Sequence, residues 1–196
     1  MVDQSHDVWF QDFYRIRKKV LTIGNKYWIE DGNGNALAFS KQKILRLKED
    51  IRIFSDENME QELFRIQQQQ YVDLWGTFAV VDSRAEAVLG YLRSKAFKSS
   101  FLWDEWDVLD MNKQSVGGIH ESAGLGLLRK YVPGGSIVPE RMTLKLNKVP
   151  IAEINQQFKI VGDSWELKCL NVPRDLDRRV LLAGILLMGM VERSRK

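Results

Sequence analysis

The sequence predicts a mainly β protein, a closed antiparallel barrel of about twelve strands around a central hydrophobic C-terminal helix. Short β-type runs alternate with aspartate-containing turns over most of the chain, and residues 180–191 (VLLAGILLMGMV) form one uninterrupted apolar run. Many antiparallel strands must close or stack to protect their edges. A helix that is apolar on every face must be surrounded by other groups. A barrel closed around the helix meets both requirements.

The chain begins with a short polar segment. We expect residues 1–12 to be mobile and residues 13–196 to form a single barrel domain, because 196 residues are enough for one substantial core. At the start of this domain, residues 12–19 (DFYRIRKK) fit either a first strand or a short turn of helix.

Four similar hairpins follow. Their turns combine aspartate with glycine, asparagine or serine, which are the residues that tight turns favour. The strand pairs are residues 27–30 with 36–39, 51–54 with 62–66, 78–81 with 87–92, and 106–109 with 116–119. The turn aspartates recur, since Asp31 matches Asp82 at an offset of 51 and Asp56 matches Asp110 at an offset of 54. Repeats of this length indicate a fold built from duplicated supersecondary units.

Two further hairpins complete the predicted barrel. Residues 141–154 turn at Asn147 and Lys148, and residues 158–169 turn at Gly162 and Asp163. Residues 122–126 and 133–136 are rich in glycine and serine and are candidate linkers. The count is about ten to twelve strands, all connected locally.

The apolar tail predicts a helix at about 176–192, because Leu, Ala, Ile and Met are good helix formers. Such a run is roughly 18 Å long, against about 30 Å of bilayer hydrocarbon. A buried core helix is therefore favoured over a membrane-inserted segment or an interfacial, partner-bound helix. Its expected core residues are Val180, Leu181, Gly184, Ile185, Leu186 and Met188.

Composition restricts the class of protein only weakly. The formal net charge of +3 permits an anionic partner without requiring one, and nothing in the sequence points to nucleic acid. Cys169 is the single cysteine, so an internal disulfide is impossible. The polar start carries no secretory signal pattern. We expect a cytoplasmic monomer, with peripheral attachment to a membrane as an open alternative.

Three segments carry a family resemblance. They are FYRIRKK at residues 13–19 followed by KYWIEDGNG at 26–34, KQKILRL at 41–47 before the strand at 51–56, and PRDLD at 173–177 directly before the apolar tail. In this order they resemble the tubby-like superfamily, specifically LURP-one-related proteins and phospholipid scramblases. The resemblance spans about residues 13–195 and implies a twelve-stranded barrel threaded by a hydrophobic C-terminal helix.

The resemblance also implies candidate sites. The calcium-binding stretch of scramblases corresponds to residues 163–167, where Asp163 and Glu166 are weak calcium candidates; no other metal and no cofactor is expected. The tubby resemblance implies that anionic phospholipid headgroups dock on the outside of the barrel. The candidate lipid-binding residues are Lys41, Lys43, Arg46 and Lys48. Lys41 and Lys43 are preferred because alternate residues of a strand share one face.

Two other basic clusters are present, and we expect them to be solvated strand faces. They are Arg15, Arg17, Lys18 and Lys19, and Arg93, Lys95 and Lys98.

The sequence contains no recognisable catalytic arrangement. Neither His120 nor Cys169 has a partner nearby in sequence that would make a nucleophile and base pair. We therefore expect a non-catalytic binding module that recognises anionic phospholipid at a membrane surface. The alternative is a protein-interaction scaffold without lipid affinity. A true phospholipid scramblase is a third hypothesis, and it requires the apolar tail to leave the barrel.

Overall fold

A computed structural model of the chain describes residues 7–20, 24–42, 50–69, 76–94, 106–121, 141–158 and 162–191. Twelve antiparallel strands within these residues form a closed barrel in which each strand pairs with its neighbours along the chain, and β1 closes on β12. The strands are β1 (Phe13–Val20), β2 (Asn25–Glu30), β3 (Ala36–Gln42), β4 (Ile51–Phe54), β5 (Glu62–Gln69), β6 (Thr77–Asp82), β7 (Ala87–Ser94), β8 (Trp106–Leu109), β9 (Ser115–Glu121), β10 (Arg141–Leu146), β11 (Val149–Phe158) and β12 (Asp163–Cys169). The predicted fold class is confirmed.

The barrel has two different ends. At one, which we call the turn end, short hairpin turns join β2 to β3, β4 to β5, β6 to β7, β8 to β9 and β10 to β11. At the other, which we call the far end, β1 finishes at Val20 and β3 at Gln42. The helix α1 (Arg178–Val191) begins at the turn end and finishes at the far end, so it runs the length of the barrel.

The helix fills the barrel interior. The expected core residues Val180, Leu181, Ile185 and Leu186 are at most 1 % exposed, and Gly184 and Met188 are also buried. Small residues bring the helix close to the strands. A Cβ atom on Gly184 would lie 3.0 Å from Ile119 of β9, and one on Gly90 of β7 would lie 3.0 Å from Val180. Among the described residues, no helix combines the length and apolarity needed to cross a membrane.

The helix is slightly shorter at its start than predicted, because Asp177 caps it. The Asp177 carboxylate accepts a hydrogen bond from the backbone N–H of Arg179 at 2.9 Å, which is the usual contact of an N-cap residue. Residues 176 and 177 therefore precede the helix.

Four of the five hairpin turns, those from β2–β3 to β8–β9, contain an aspartate whose carboxylate accepts backbone N–H groups inside the turn; in the β4–β5 turn Asp56 accepts from Asn58 at 2.8 Å. Asp31 accepts from Asn33 and Asn35, both at 2.8 Å. Asp82 accepts from Arg84 at 2.9 Å and Ala85 at 2.8 Å, and Asp110 accepts from Asn112 and Gln114, both at 2.9 Å. The repeated aspartates of the sequence are thus repeated turn contacts.

The start of the folded domain differs from the sequence-based expectation. Residues 7–9, in the segment expected to be mobile, form a 3-10 helix, and the buried Trp9 ring packs edge-on against Phe64 at 5.6 Å. An indole of this size closes the turn end of the core, so the folded domain begins before residue 13. The ambiguous residues 12–19 belong largely to strand β1. The candidate linkers at 122–126 and 133–136 lie outside the described residues.

Candidate functional site

Three lysines stand side by side on the outer face of β1, β2 and β3, near the far end. Lys26 lies directly opposite Lys19 on one side and Lys41 on the other. Their neighbours Lys18, Tyr27 and Ser40 are buried, so strand alternation directs the three lysines outwards. We call Lys19, Lys26 and Lys41 the lysine row.

The lysine row concentrates positive charge, and this lowers the stability of the fold. Side chains directly opposite each other on neighbouring strands lie about 4.5–5.5 Å apart at Cβ, and like charges there are destabilising. Among the described residues, Lys19 and Lys41 have no acidic side chain within ion-pair distance, and Lys41 is exposed. Two of the three ammonium groups are therefore available to an anionic partner.

Lys26, the central lysine, already has an anionic neighbour. Glu57, in the turn between β4 and β5, accepts hydrogen bonds from Lys26 Nζ at 2.7 Å and from Trp28 Nε1 at 3.0 Å. These two hydrogen bonds, with Lys26 as the larger cause, hold the pKa of Glu57 below its ordinary value of 4.5. Glu57 is therefore a carboxylate at neutral pH.

An aromatic platform lies beside the lysine row. The Arg17 guanidinium is 4.1 Å from the centre of the Trp28 ring, a cation–π contact, and its Nε donates to Glu30 at 2.8 Å. Trp28 packs against Phe39 of β3 at 5.6 Å, and both rings are nearly buried although they lie on the outside of the barrel. Glu57, Arg17 and Lys26 lie against these rings and cover part of their surface.

The structure describes only part of the predicted lipid-binding set. Lys41 lies in the lysine row, whereas Lys43, Arg46 and Lys48 lie outside the described residues. Lys19 and Lys26, which no local pattern connects with Lys41, are brought beside it by the strand register.

Apart from Lys19, the described residues of the other two basic clusters are paired or buried. Arg15 pairs with Glu166 at 3.1 Å, and Arg93 lies 3.6 Å from Asp107. Lys18 is buried inside the barrel, where its Nζ donates to the Gly189 carbonyl at 2.7 Å near the end of the helix. A cation at this position favours the helix dipole. Lys95 and Lys98 lie outside the described residues.

The two weak calcium candidates are not brought together. Asp163 and Glu166 are three residues apart in β12, so they point to opposite faces of the strand. Glu166 points outwards to Arg15. Within the described part of the chain, no group of three or more His, Cys, Asp or Glu side chains could hold a metal ion.

The potential catalytic residues are also separated. His120 lies in β9 near the far end of the barrel, whereas Cys169 is the last residue of β12 and lies at the turn end. Cys169 is buried, and this burial raises the pKa of its thiol, which reduces its nucleophilic fraction.

A half-buried ion network fixes the start of the helix. Arg179 donates to Asp82 at 2.6 Å and to Asp177 at 2.8 Å, and its side chain is 13 % exposed. Because Asp82 belongs to β6, the network ties the helix to the barrel wall.

The Asp82 carboxylate makes stability depend on pH. Burial alone would raise the pKa of Asp82, but hydrogen bonds from the Ala85 N–H and the Arg179 guanidinium outweigh it and keep the pKa below 3.8. A lowered pKa in the folded state stabilises the protein above the unfolded value, and this stabilisation disappears as pH falls through the folded value. We expect Asp82→Asn to unfold more easily in urea at neutral pH and to lose less stability than the wild type on acidification to about pH 3. Equal pH dependence in both proteins would contradict this role.

Together these features define a class: a closed β-barrel threaded by a buried C-terminal helix, with a cationic patch on its outer wall. The family model for LURP-one-related proteins matches residues 37–188, so the chain belongs to the LURP-one-related family. The sequence resemblance is thereby confirmed. A crystal structure of a protein from Arabidopsis thaliana has the same fold, with 11 % identity, a TM-score of 0.50, and coverage of 94 % of this chain and 92 % of that one. The comparison with curated proteins found no match.

Proposed function

We propose that this protein is a non-catalytic binding module that attaches peripherally to membranes by docking its lysine row on anionic phospholipid headgroups. The juxtaposition of Lys19, Lys26 and Lys41 on adjacent strands carries the proposal. Such a row costs folding stability through like-charge repulsion, and an anionic ligand removes that repulsion. Residues that weaken a fold locally are expected at functional sites.

The expected strength of binding follows from the number of available charges. Each lysine near an anionic bilayer contributes about 1 kcal/mol, and this attraction decays within a Debye length of about 10 Å at 0.1 M salt. Lys19 and Lys41 together therefore provide about 2 kcal/mol, which is roughly a 30-fold gain in affinity. Such binding is weak and reversible.

Removing the two available lysines tests the proposal. We expect Lys19→Ala with Lys41→Ala to weaken binding to phosphatidylserine-containing vesicles about 30-fold in a flotation assay. The control is Lys145→Ala with Lys168→Ala, which removes the same charge from exposed positions near the turn end. Equal losses in both double variants would show that net charge, and not the lysine row, governs binding.

One observation favours the scaffold alternative. Every large hydrophobic side chain that is exposed in the described residues lies in a hairpin turn or next to β1 or β12 at the turn end. These residues are Phe10, Met59, Met111, Val149 and Leu170. Contiguous exposed apolar patches are typical of protein contact sites, and Met111 and Val149 belong to neighbouring hairpins because β9 pairs with β10. A partner whose binding is lost in Met111→Asp with Val149→Asp, while vesicle binding is absent in the wild type, would favour the scaffold.

The packing of the helix weighs against the scramblase hypothesis. Leaving the barrel would expose the apolar core and break the contacts of Arg179 with Asp82 and of Lys18 with Gly189. The separation of His120 and Cys169 at opposite ends of the barrel supports a module without catalysis.

A further inference from the structure

The turn between β4 and β5 places a carboxylate on the central lysine of the row. Glu57 Oε2 accepts from Lys26 Nζ at 2.7 Å, and Glu57 Oε1 accepts from Trp28 Nε1 at 3.0 Å. Both carboxylate oxygens are therefore used on groups of β2, although Glu57 itself belongs to a turn two strands away. The carboxylate side chain is 52 % exposed, and Lys26 is 28 % exposed.

The groups that hold Glu57 form a small anion-binding site. An ammonium group, an indole N–H and the nearby Arg17 guanidinium converge on this part of the surface. Charge-assisted donors of this kind suit the oxygens of a carboxylate or of a phosphate group. The Trp28 ring is only 8 % exposed, so its N–H direction is fixed by packing against Phe39 and Arg17.

We propose that Glu57 is an internal competitor of the ligand: its carboxylate occupies Lys26 and Trp28 until a phosphate group displaces it and takes the same donors. This inference rests on the proposed function and adds a form of autoinhibition to the same surface. Lys19 and Lys41 make the first contact with an anionic surface, and Lys26 joins them when Glu57 leaves.

The turn is suited to release the carboxylate. The Lys26–Glu57 ion pair is solvent-exposed, and pairs of this kind contribute little net stability because water solvates both partners. Replacing one anion by another leaves both donors satisfied, so the exchange costs little.

A pair of glutamates in the same turn provides the test. Glu57→Ala frees Lys26 and Trp28, whereas Glu60→Ala removes an equal charge from an exposed position that makes no contact with the lysine row. With phosphatidylcholine vesicles containing phosphatidylserine at low salt, we expect Glu57→Ala to bind about fivefold more tightly than the wild type. Glu60→Ala should change affinity less than about twofold, because exposed charges are screened. Equal gains in both variants would overturn the inference.

The tighter vesicle binding of Glu57→Ala must come from Lys26, the donor that this substitution frees. We expect Lys26→Ala to have little effect in the wild type, where Glu57 occupies this lysine, and to abolish the fivefold gain in the Glu57→Ala background. This non-additivity is the signature of two residues that act on each other. If Lys26→Ala weakens binding equally in both backgrounds, Glu57 does not compete for it.

A soluble phosphate ester distinguishes a site for free phosphate groups from a site for lipid headgroups. A Glu57-dependent gain for glycerol phosphate in titration calorimetry would assign the site to free phosphate groups, and a gain with vesicles alone would assign it to lipid headgroups. Vesicle binding through Lys19 and Lys41 without any effect of Glu57→Ala would overturn the inference and leave the proposed function standing. No binding of any variant to either probe would overturn both.

Discussion

Replacing Leu186 by aspartate is expected to unfold the barrel. Leu186 is 1 % exposed at the middle of a helix that strands surround on all sides. A carboxylate buried there without a partner costs several kcal/mol, and a domain of ordinary stability has only about 5–15 kcal/mol in total. The measurement is the free energy of unfolding in urea, followed by circular dichroism.

The control for this variant is Leu170→Asp, the same substitution on a residue that is 40 % exposed at the turn end. We expect it to change the free energy of unfolding by less than about 0.5 kcal/mol, because it buries no charge. Leu186→Asp with wild-type stability would mean that the helix does not occupy the barrel interior in solution.

The second large effect is expected at the ion network that fixes the start of the helix. Asp82→Ala removes the hydrogen bonds from the Arg84 and Ala85 N–H groups and leaves the half-buried Arg179 with Asp177 alone. We expect a loss of about 3 kcal/mol in the free energy of unfolding, because the part-buried, charge-assisted bond from Arg179 contributes about 2 kcal/mol and the two exposed turn bonds about 0.5 kcal/mol each. For a domain of this size the melting temperature falls by about 6–12 °C.

The repeat supplies a matched control, because Asp110 makes the equivalent turn contacts in the β8–β9 hairpin. It accepts from the Asn112 and Gln114 N–H groups, and no ion pair joins it to a described residue of the helix. Asp110→Ala therefore removes a turn aspartate without removing a helix contact, and we expect a loss of about 1 kcal/mol. The difference between the two variants measures the Arg179 contact. Equal losses would show that Asp82 matters only to its own turn.

The architecture could be predicted because it depends on local patterns. Aspartate turns such as Asp31 and Asp82 mark hairpins by their own chemistry, and an apolar run without a polar face must be enclosed whatever surrounds it. The burial of Trp9 is not predictable, because it does not depend on a local pattern. It lies in a short polar segment without periodicity, and only the position of Phe64 on a distant strand makes it part of the core.

The candidate site was only partly predictable, because it is a product of strand register. Lys41 was singled out from its own strand, but its neighbours Lys26 and Lys19 are 15 and 22 residues away and meet it only through the pairing of β1, β2 and β3. A shift of one residue in register would turn the row to the barrel interior. The contact of Glu57 with Trp28 could not be predicted either, since nothing in the local sequence connects a turn glutamate with this tryptophan. Strand alternation also turns Asp163 and Glu166 to opposite faces of β12. Their closeness in sequence does not reveal this separation.

Co-sedimentation of the wild-type protein with neutral and anionic vesicles, at low and at high salt, tests the central claim most directly. A surface that binds headgroups through lysines must bind only the anionic vesicles and must release them as salt screens the charges. We predict this result. Salt-resistant binding to both kinds of vesicle would mean that the apolar helix inserts into the bilayer, and no binding under any condition would contradict the lipid-binding account.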